Sequence, residues 1–300
     1  MNDIDTVALN FSPSSLMLLN AILAIVMFSV ALDLRLADFA RLAKAPKPVL
    51  TGLLAQFVVL PVLTFGLVLA MQPQASIALG LILVAACPGG NISNFITHRA
   101  GGNAALSVSL TAFATVGAIL LTPINIAFWG SLYHPTRAIL QATQIDPVQV
   151  AITVTFMLIL PLVAGIMLNE RRGEWVARLR RPMQNLSMLI FMAFVVLALA
   201  ANWSFFLGYA HHVAVLVILH NALALTGGYG TATLAGVSPF DRRSVTIETG
   251  IQNSGLGLVL IFGFFSGLGG MAVVAAFWGI WHAISGIVLA RIMSRTEAVK

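Results

Sequence analysis

Long apolar runs separated by short polar loops constrain this chain more than any other feature. A helix that crosses the hydrocarbon core of a membrane needs about 20 predominantly apolar residues. Nine segments of the 300-residue chain meet that requirement, approximately 14–33, 48–71, 75–97, 103–132, 147–169, 185–208, 211–235, 244–267 and 269–293. Only 9% of the residues are charged, against about 25% in soluble domains. These features exclude a water-soluble fold and predict an all-α polytopic membrane protein with nine transmembrane helices in a single domain that spans residues 1–300.

The positively charged residues are distributed unevenly over the predicted loops. If all nine segments cross the membrane, fifteen of the 16 Lys and Arg residues lie on one side and only Arg137 lies on the other. Cytoplasmic loops carry the excess of Lys and Arg in membrane proteins. We therefore expect a multi-pass protein of the cell (inner) membrane, with its N-terminus outside and its C-terminus in the cytoplasm. The lipid bilayer, and not a nucleic acid, is the expected partner of the basic loops.

Two of the nine segments, the third and the eighth, are interrupted by glycine and polar residues. The interruptions read CPGGNISN at 87–94 and ETGIQNSG at 248–255. The two segments lie five segments apart, and an odd separation means that they cross the membrane in opposite directions. Segments one to four would then match segments six to nine, with segment five unpaired. This is the pattern of a transporter built from inverted repeats.

Both interruptions have the composition of broken helices. Pro88 has no N–H to donate to the carbonyl of Val84, and the two glycines that follow it loosen the next turn. Breaks are costly in lipid, because the freed backbone groups find no water there, and they persist where they line a cavity. The alternative is a glycine-rich helix packed tightly against a neighbour. That alternative fits the glycines between Gly263 and Gly270 better than it fits the two polar breaks.

Glu248 is the only acidic residue well inside a predicted segment. An ionised side chain in the membrane interior costs about 2.5–3.5 kcal/mol or more and indicates a functional site by default. The alternative is an ion pair with Arg242 or Arg243 near the cytoplasmic interface. We favour the functional interpretation, because a carboxylate inside the membrane is costly to keep without a function.

Three further polar side chains within the predicted segments are candidates for a site. Ser107 and Thr111 are at i and i+4, so their hydroxyls share one helix face, although such hydroxyls also bond their own backbone. Gln56 is the lone amide of segment two, and its alternative role is a hydrogen bond between helices. Carboxylate, amide and hydroxyl oxygens suit a hard cation better than a soft metal. The single cysteine, Cys87, excludes a multi-cysteine metal site.

The sequence resembles the bile acid:sodium symporter (BASS) family, and the resemblance extends over almost the whole chain. Four stretches carry it, namely CPGGNISN at 87–94, AALSVS at 104–109, TIETGIQNSG at 246–255 and WHAISG at 281–286. The chain resembles a nine-helix member of the family. The resemblance implies a panel of helices at about 14–33, 147–169 and 185–208. It implies a core at about 48–132 and 211–293, in which the two broken helices cross.

The resemblance also implies two bound Na⁺ ions. The side chains that match the first sodium site are Ser93, Asn94, Ser107, Thr111 and Glu248. Those that match the second are Gln56, Glu248 and Gln252, together with the backbone carbonyls of Thr249 and Ile251. The substrate region would include Asn91, Asn253 and His282. Bacterial members commonly have threonine where this chain has Asn91, and asparagine where it has Ala283. The resemblance therefore supports sodium coupling in this chain more strongly than it supports the family's substrate specificity.

The resulting hypothesis is a transporter, not an enzyme, that imports an organic anion by sodium symport and alternating access. The anion would be a bile-acid-like or related carboxylate. Two Na⁺ ions, an ionised Glu248 and a monoanion sum to zero charge, which lowers the cost of crossing a low-dielectric barrier. Three alternatives stay open: a carrier of a small keto acid or pantoate, a metalloid efflux carrier that uses Cys87 with the glutamate, and a membrane-embedded hydrolase. No Ser-His-Asp or metal-ligand set supports the hydrolase.

Overall fold

The computed structural model describes residues 4–7, 12–32, 34–37, 46–90, 92–143 and 146–295. The predicted substrate residue Asn91 lies outside the described residues. The helices of the described part are α1 (Pro13–Ala31), α2 (Pro46–Met71), α3 (Ala75–Ala86), α4 (Ile92–Arg99), α5 (Ala104–Leu132), α6 (His134–Thr143), α7 (Pro147–Val154), α8 (Leu160–Ala201), α9 (Trp203–Leu234), α10 (Pro239–Gly250), α11 (Ser254–Phe264) and α12 (Gly269–Arg295). The predicted all-α fold is confirmed for these residues.

Within the described residues, six stretches of helix are long and apolar enough to cross a membrane. They are Ser14–Ala31, Pro46–Met71, Ala104–Leu132, Val148–Phe191, Val213–Leu234 and Gly269–Arg295. The chain is therefore a polytopic membrane protein. The count differs from nine because the third and eighth segments are each divided into shorter helices, and because segments five and six belong to one long helical run. Nine crossings remain a prediction.

The stretch between the predicted segments five and six, which we expected to be a loop that includes residues 171–181, is helical, so that expectation was wrong. Only Arg172 within α8 has non-helical backbone angles, with φ −136° and ψ 38°. Residues 171–181 include five Arg residues together with Glu174, Ala177 and Leu179, all of which are good helix formers. Polarity indicated a loop, but the helix continues through it as a charged segment and changes direction at Arg172.

The boundary between segments six and seven also differs from the prediction. Helix α8 ends at Ala201 and α9 begins at Trp203, with only Asn202 between them. Helix α6 was not predicted, because it has ten residues and is too short and polar for a membrane span. Its buried Thr136 donates to the carbonyl oxygen of Tyr133 at 2.8 Å. This bond fixes the turn between α5 and α6.

Helix α2 and the run from α7 to α8 each contain one widened turn. These π-helical turns span Ala55–Val59 and Thr155–Ile159. Each is followed two residues later by a proline, Pro61 or Pro161, which lacks the N–H of a regular helix. Turns of this kind occur frequently at functional sites. The first of them contains Gln56, which is buried.

Close helix packing organises the fold around the interrupted segments. Helix α1 packs mainly against α8, α9 against α10, and α12 against α3. A Cβ atom on Gly165 would lie 2.5 Å from the Cβ of Ala31. The absence of a side chain there lets α8 approach α1 closely, as small residues do in membrane helix pairs.

Candidate functional site

The two predicted interruptions are confirmed, and they meet each other. Helix α3 ends at Ala86 and α10 ends at Gly250. The unwound residues beyond them pair as a short antiparallel bridge between Gly89 and Gln252. The N–H of Gly90 donates to the carbonyl of Ile251 at 2.7 Å, and the N–H of Asn253 donates to the carbonyl of Pro88 at 2.9 Å. Each break thus satisfies backbone groups of the other, which a membrane interior requires.

Side chains from three other helices bind the remaining carbonyls at the breaks. The bonds are Gln56 Nε2 to Cys87 O at 2.7 Å, Thr122 Oγ1 to Ala86 O at 2.7 Å and Asn221 Nδ2 to Gly250 O at 2.8 Å. All three donors are buried. The breaks are therefore built into the packing of α2, α5 and α9.

Glu248 lies beside this crossing, with only 3% of its surface exposed. Its Oε2 accepts hydrogen bonds from Ser93 Oγ at 2.6 Å and from Ser107 Oγ at 3.1 Å. Its Oε1 accepts from Thr111 Oγ1 at 2.6 Å. The Oδ1 of Asn94 accepts from Ser107 at 2.9 Å and from Thr111 at 3.4 Å. The five side chains predicted as the first ligand set, on α4, α5 and α10, form one connected cluster.

The carboxylate of Glu248 reaches the first break directly. A Cβ atom on Gly89 would overlap Oε1 of Glu248, so no larger residue fits at position 89 without moving the carboxylate. The alternative role of Glu248 as an ion-pair partner at the interface is not supported. Arg243 donates instead to the carbonyls of Ala100 and Gly101, both at 3.0 Å.

The predicted second ligand set is also brought together. Gln56 Nε2 donates to Gln252 Oε1 at 2.8 Å, and Gln252 Nε2 donates to Gln56 Oε1 at 3.2 Å. Gln252 Nε2 also donates to the carbonyl of Thr249 at 2.7 Å. The carbonyl of Ile251 accepts from Gly90 and keeps a second lone pair. Amide and carbonyl oxygens from α2 and the second break thus converge next to Glu248.

Of the two described substrate candidates, Asn253 lies at the second break and His282 lies on the neighbouring helix α12. Asn253 caps α11, because its Oδ1 accepts from the N–H of Leu256 at 3.0 Å. His282 is buried on α12. It shares a helix face with Gly279, where a Cβ would lie 2.8 Å from Ser254 Oγ, and with Gly286, where a Cβ would lie 2.9 Å from Ile251 Cδ1. Both predicted residues therefore lie on elements that adjoin the crossing.

Sequence reasoning missed a cavity of about 560 Å³ beside the first break. Its walls come from α1, α4, α5 and α8, and Asn94 of the Glu248 cluster is one of its lining residues. The sequence analysis also missed Asn221, whose amide donates to the carbonyl of Gly250 and accepts from Ser285 Oγ at 2.6 Å. The available signal for Asn221 was an amide inside the apolar segment seven.

The donor chemistry of the cluster differs from that of a transition-metal site. No group of three or more His, Cys, Asp or Glu side chains could hold a metal ion in the part of the chain that the structure describes. The cluster around Glu248 offers one carboxylate with hydroxyl, amide and carbonyl oxygens. Such oxygen sets bind hard cations.

Comparisons with known proteins agree with this architecture. The family model described as "Sodium Bile acid symporter family" matches residues 20–208. The uncharacterized sodium-dependent transporter YocS of Bacillus subtilis is 33% identical over 273 residues, which cover 91% of this chain and 82% of that protein. The probable sodium/metabolite cotransporter BASS1 of Arabidopsis thaliana, a chloroplastic protein, is 31% identical, over 91% of this chain and 66% of that protein.

A human relative is more distant. Sodium/bile acid cotransporter 4 is 26% identical over 236 residues, which cover 78% of this chain and 53% of that protein. The family model matches more than half of this chain. The alignments with the Bacillus and Arabidopsis relatives cover 91% of it, and they include the helices that carry the Glu248 cluster. The chain therefore belongs to the sodium bile acid symporter family, a family of membrane transporters and not of enzymes.

Proposed function

We propose that this protein is a sodium-coupled importer of an organic anion, either bile-acid-like or a related carboxylate. The observation that carries the proposal is the cluster of Ser93, Asn94, Ser107 and Thr111 around Glu248. It places oxygen donors from three helices at a buried carboxylate, beside two breaks that pair with each other. A Na⁺ ion would take the place of the hydrogen bonds to the carboxylate, because the hydroxyls can turn their protons away and bind the ion through their oxygen lone pairs.

Two ions per transport cycle fit the two neighbouring oxygen sets. The first would lie among the hydroxyls at Glu248, and the second between Gln56, Gln252 and the carbonyls of Thr249 and Ile251. Glu248 would adjoin both ions and carry the single negative charge of the loaded site. With a monoanionic substrate the total charge becomes zero, which lowers the cost of moving the loaded site through the membrane.

Alternating access would move one group of helices against another. We assign α1, α7 and α8 to the panel, because α1 packs mainly against α8. We assign α2 to α5 and α9 to α12 to the core, which carries both broken helices. The kink at Arg172 would divide α8 into two crossings. The helix pairs α3–α4 and α10–α11 would each cross once, which restores the nine crossings expected from the sequence.

The proposed topology predicts opposite sidedness for the two ends of the panel. In a variant that lacks Cys87, a cysteine at Thr6 should react with a membrane-impermeant maleimide only from outside intact cells. A cysteine at Arg178 should react only after the cytoplasmic face is opened, because an odd number of crossings separates the two positions. The same sidedness for both cysteines would contradict the nine-crossing arrangement.

Uptake into proteoliposomes tests the transport function itself. We expect an inward sodium gradient to drive accumulation of at least one labelled acid among cholate, pyruvate and pantoate, and an equal potassium gradient to drive none. The reason is that Na⁺ completes the site at Glu248, whereas the larger K⁺ would not fit oxygens already within hydrogen-bonding distance of each other. Uptake that follows a proton gradient and ignores sodium would overturn the proposal and make Glu248 a proton relay.

The acid panel also separates the related candidates. Preference for pyruvate or pantoate would make the protein a carrier of small carboxylates, and "sodium/metabolite cotransporter" is the printed name of the Arabidopsis relative. A metalloid efflux carrier would need Cys87 as a ligand. Cys87 is fully buried, and its carbonyl oxygen accepts from Gln56. Cys87→Ala should therefore retain sodium-driven uptake, and loss of transport in that variant would favour the metalloid hypothesis.

A further inference from the structure

The cavity beside the first break is lined by both apolar and polar side chains. With about 560 Å³, it lies within the range of about 300–1,000 Å³ that holds small organic ligands. Val26 and Val30 on α1 and Phe95 on α4 supply apolar surface. Arg181 and Asn185 on α8 supply polar groups to the lining. A ligand that fills this space would have an apolar part and a polar, hydrogen-bonding part.

Among the described residues that line this cavity, Arg181 supplies a positive charge and none supplies a negative one. Arg181 makes no hydrogen bond or ion pair with any residue that the structure describes, and no Asp or Glu is among the lining residues. Two other polar lining residues, Ser29 on α1 and Ser187 on α8, share a hydrogen bond of 2.8 Å. The guanidinium of Arg181 presents planar donors that suit a carboxylate.

We propose that Arg181 anchors the carboxylate of the transported anion in this cavity. Asn185 lies at i+4 on the same helix face and supplies a second donor. The apolar part of the anion would lie against Val26, Val30 and Phe95. This assignment rests on the proposed transport function and adds the residue that selects for a negatively charged substrate.

The position of Arg181 gives the anchor a role in coupling the two helix groups. Arg181 belongs to α8, whereas Asn94, which also lines the cavity, belongs to α4 and to the Glu248 cluster. An anion held by Arg181 would therefore contact the α1–α8 pair on one side and the ion-binding helices on the other. A neutral analogue would lose the first of these contacts and keep the second.

Arg181→Gln and Arg178→Gln form a matched pair for the test. Both remove one positive charge from the same helix, and Arg178 lines a separate surface pocket with Arg171 and Arg172. Binding of cholate, pyruvate and pantoate in saturating sodium is measured by calorimetry, each acid beside its primary amide. We expect Arg181→Gln to weaken binding of the accepted acid about 10- to 100-fold, or about 1.4–2.8 kcal/mol. Arg178→Gln should change it less than about twofold, and Arg181→Lys should fall between them.

The amide controls and the sodium response make the outcomes separable. The amide should bind the wild-type protein weakly, and Arg181→Gln should not weaken it further. Thermal stabilisation by sodium alone should be unchanged in Arg181→Gln, which shows that the variant is folded and that its ion sites are intact. Unchanged acid binding in Arg181→Gln would overturn this assignment alone. Failure of every acid to bind the wild-type protein in sodium would overturn the proposed function and the anchor with it.

Discussion

Replacement of Glu248 by glutamine should remove most of the stabilisation that sodium gives to this protein. Glutamine keeps the shape and one oxygen, but it loses the only buried charge of the cluster, and its amide nitrogen cannot accept the hydroxyl protons of Ser93, Ser107 or Thr111. Two unit charges 4 Å apart interact by about 4 kcal/mol at an effective dielectric constant of about 20. Because the neutral oxygens remain, we expect a loss of about 100-fold in sodium affinity.

The measurement is thermal unfolding of the purified protein in detergent over a range of NaCl, with KCl keeping the ionic strength fixed. Binding to the folded state stabilises it by RT ln(1 + [L]/Kd), so the midpoint should rise with sodium in the wild type and barely rise in Glu248→Gln. Glu174→Gln is the control, because it removes an exposed carboxylate on α8. An equal rise in Glu248→Gln would show that sodium does not bind at this carboxylate.

Gln252→Ala should act in the same direction with a smaller effect. The substitution removes an uncharged ligand of the proposed second ion and leaves the amide of Gln56 without its partner at 2.8 Å. A buried group left unsatisfied costs about 1–3 kcal/mol, so this variant should also unfold at a lower temperature in the absence of sodium. The two glutamines should couple in a double-mutant cycle, because they contact each other directly.

Sodium and the transported acid should each tighten the binding of the other by the same factor. Coupling between two sites is reciprocal in free energy and is typically about 1–3 kcal/mol, or about 5–150-fold in affinity. The structure offers a physical link through Asn94, which lines the cavity and accepts from Ser107. Ser107 in turn donates to Glu248 at 3.1 Å. A Na⁺ ion bound at Glu248 would therefore change the hydrogen bonding of Asn94, the side chain that the acid contacts in the cavity.

Ser107→Ala should reduce that coupling without removing a residue that lines the cavity. Ser109→Ala is the matched control on the same helix, since the Ser109 hydroxyl donates to the carbonyl of Ala105 within its own helix at 2.9 Å. We expect Ser107→Ala to lower the sodium dependence of acid binding at least several-fold, while Ser109→Ala leaves it unchanged. Equal sodium dependence in both variants would remove Ser107 from the link between the sites.

The sequence predicted the interruptions and the central carboxylate for local physical reasons. Pro88 removes a helical hydrogen bond whatever surrounds it, and an acidic residue such as Glu248 inside an apolar run needs a function or a partner. The i and i+4 spacing placed Ser107 and Thr111 on one face, and the structure brings both to Glu248. The roles of Ser93 and Asn94 came only from the family resemblance, because polar residues after a break equally cap a helix.

The features that the sequence did not predict depend on distant partners or on helix propensity. The antiparallel pairing of Gly89 with Gln252 joins residues far apart in the chain, and no periodic pattern encodes it. The helix through 173–181 formed in a polar stretch that was interpreted as a loop. The cavity at Arg181 depends on how α8 faces α4, which the position of Arg181 in a basic stretch does not reveal.

Calorimetric titration of the accepted acid at low and high sodium tests the central claim most directly. The acid that accumulates in proteoliposomes is titrated into the wild-type protein with the sum of sodium and potassium held constant. Sodium-coupled symport predicts binding about 5–150-fold tighter in high sodium than in low sodium. The same enhancement should appear when sodium is titrated with and without the acid. Equal affinity of the acid in low and high sodium would contradict the symport mechanism, even though the helical fold and the family assignment would stand.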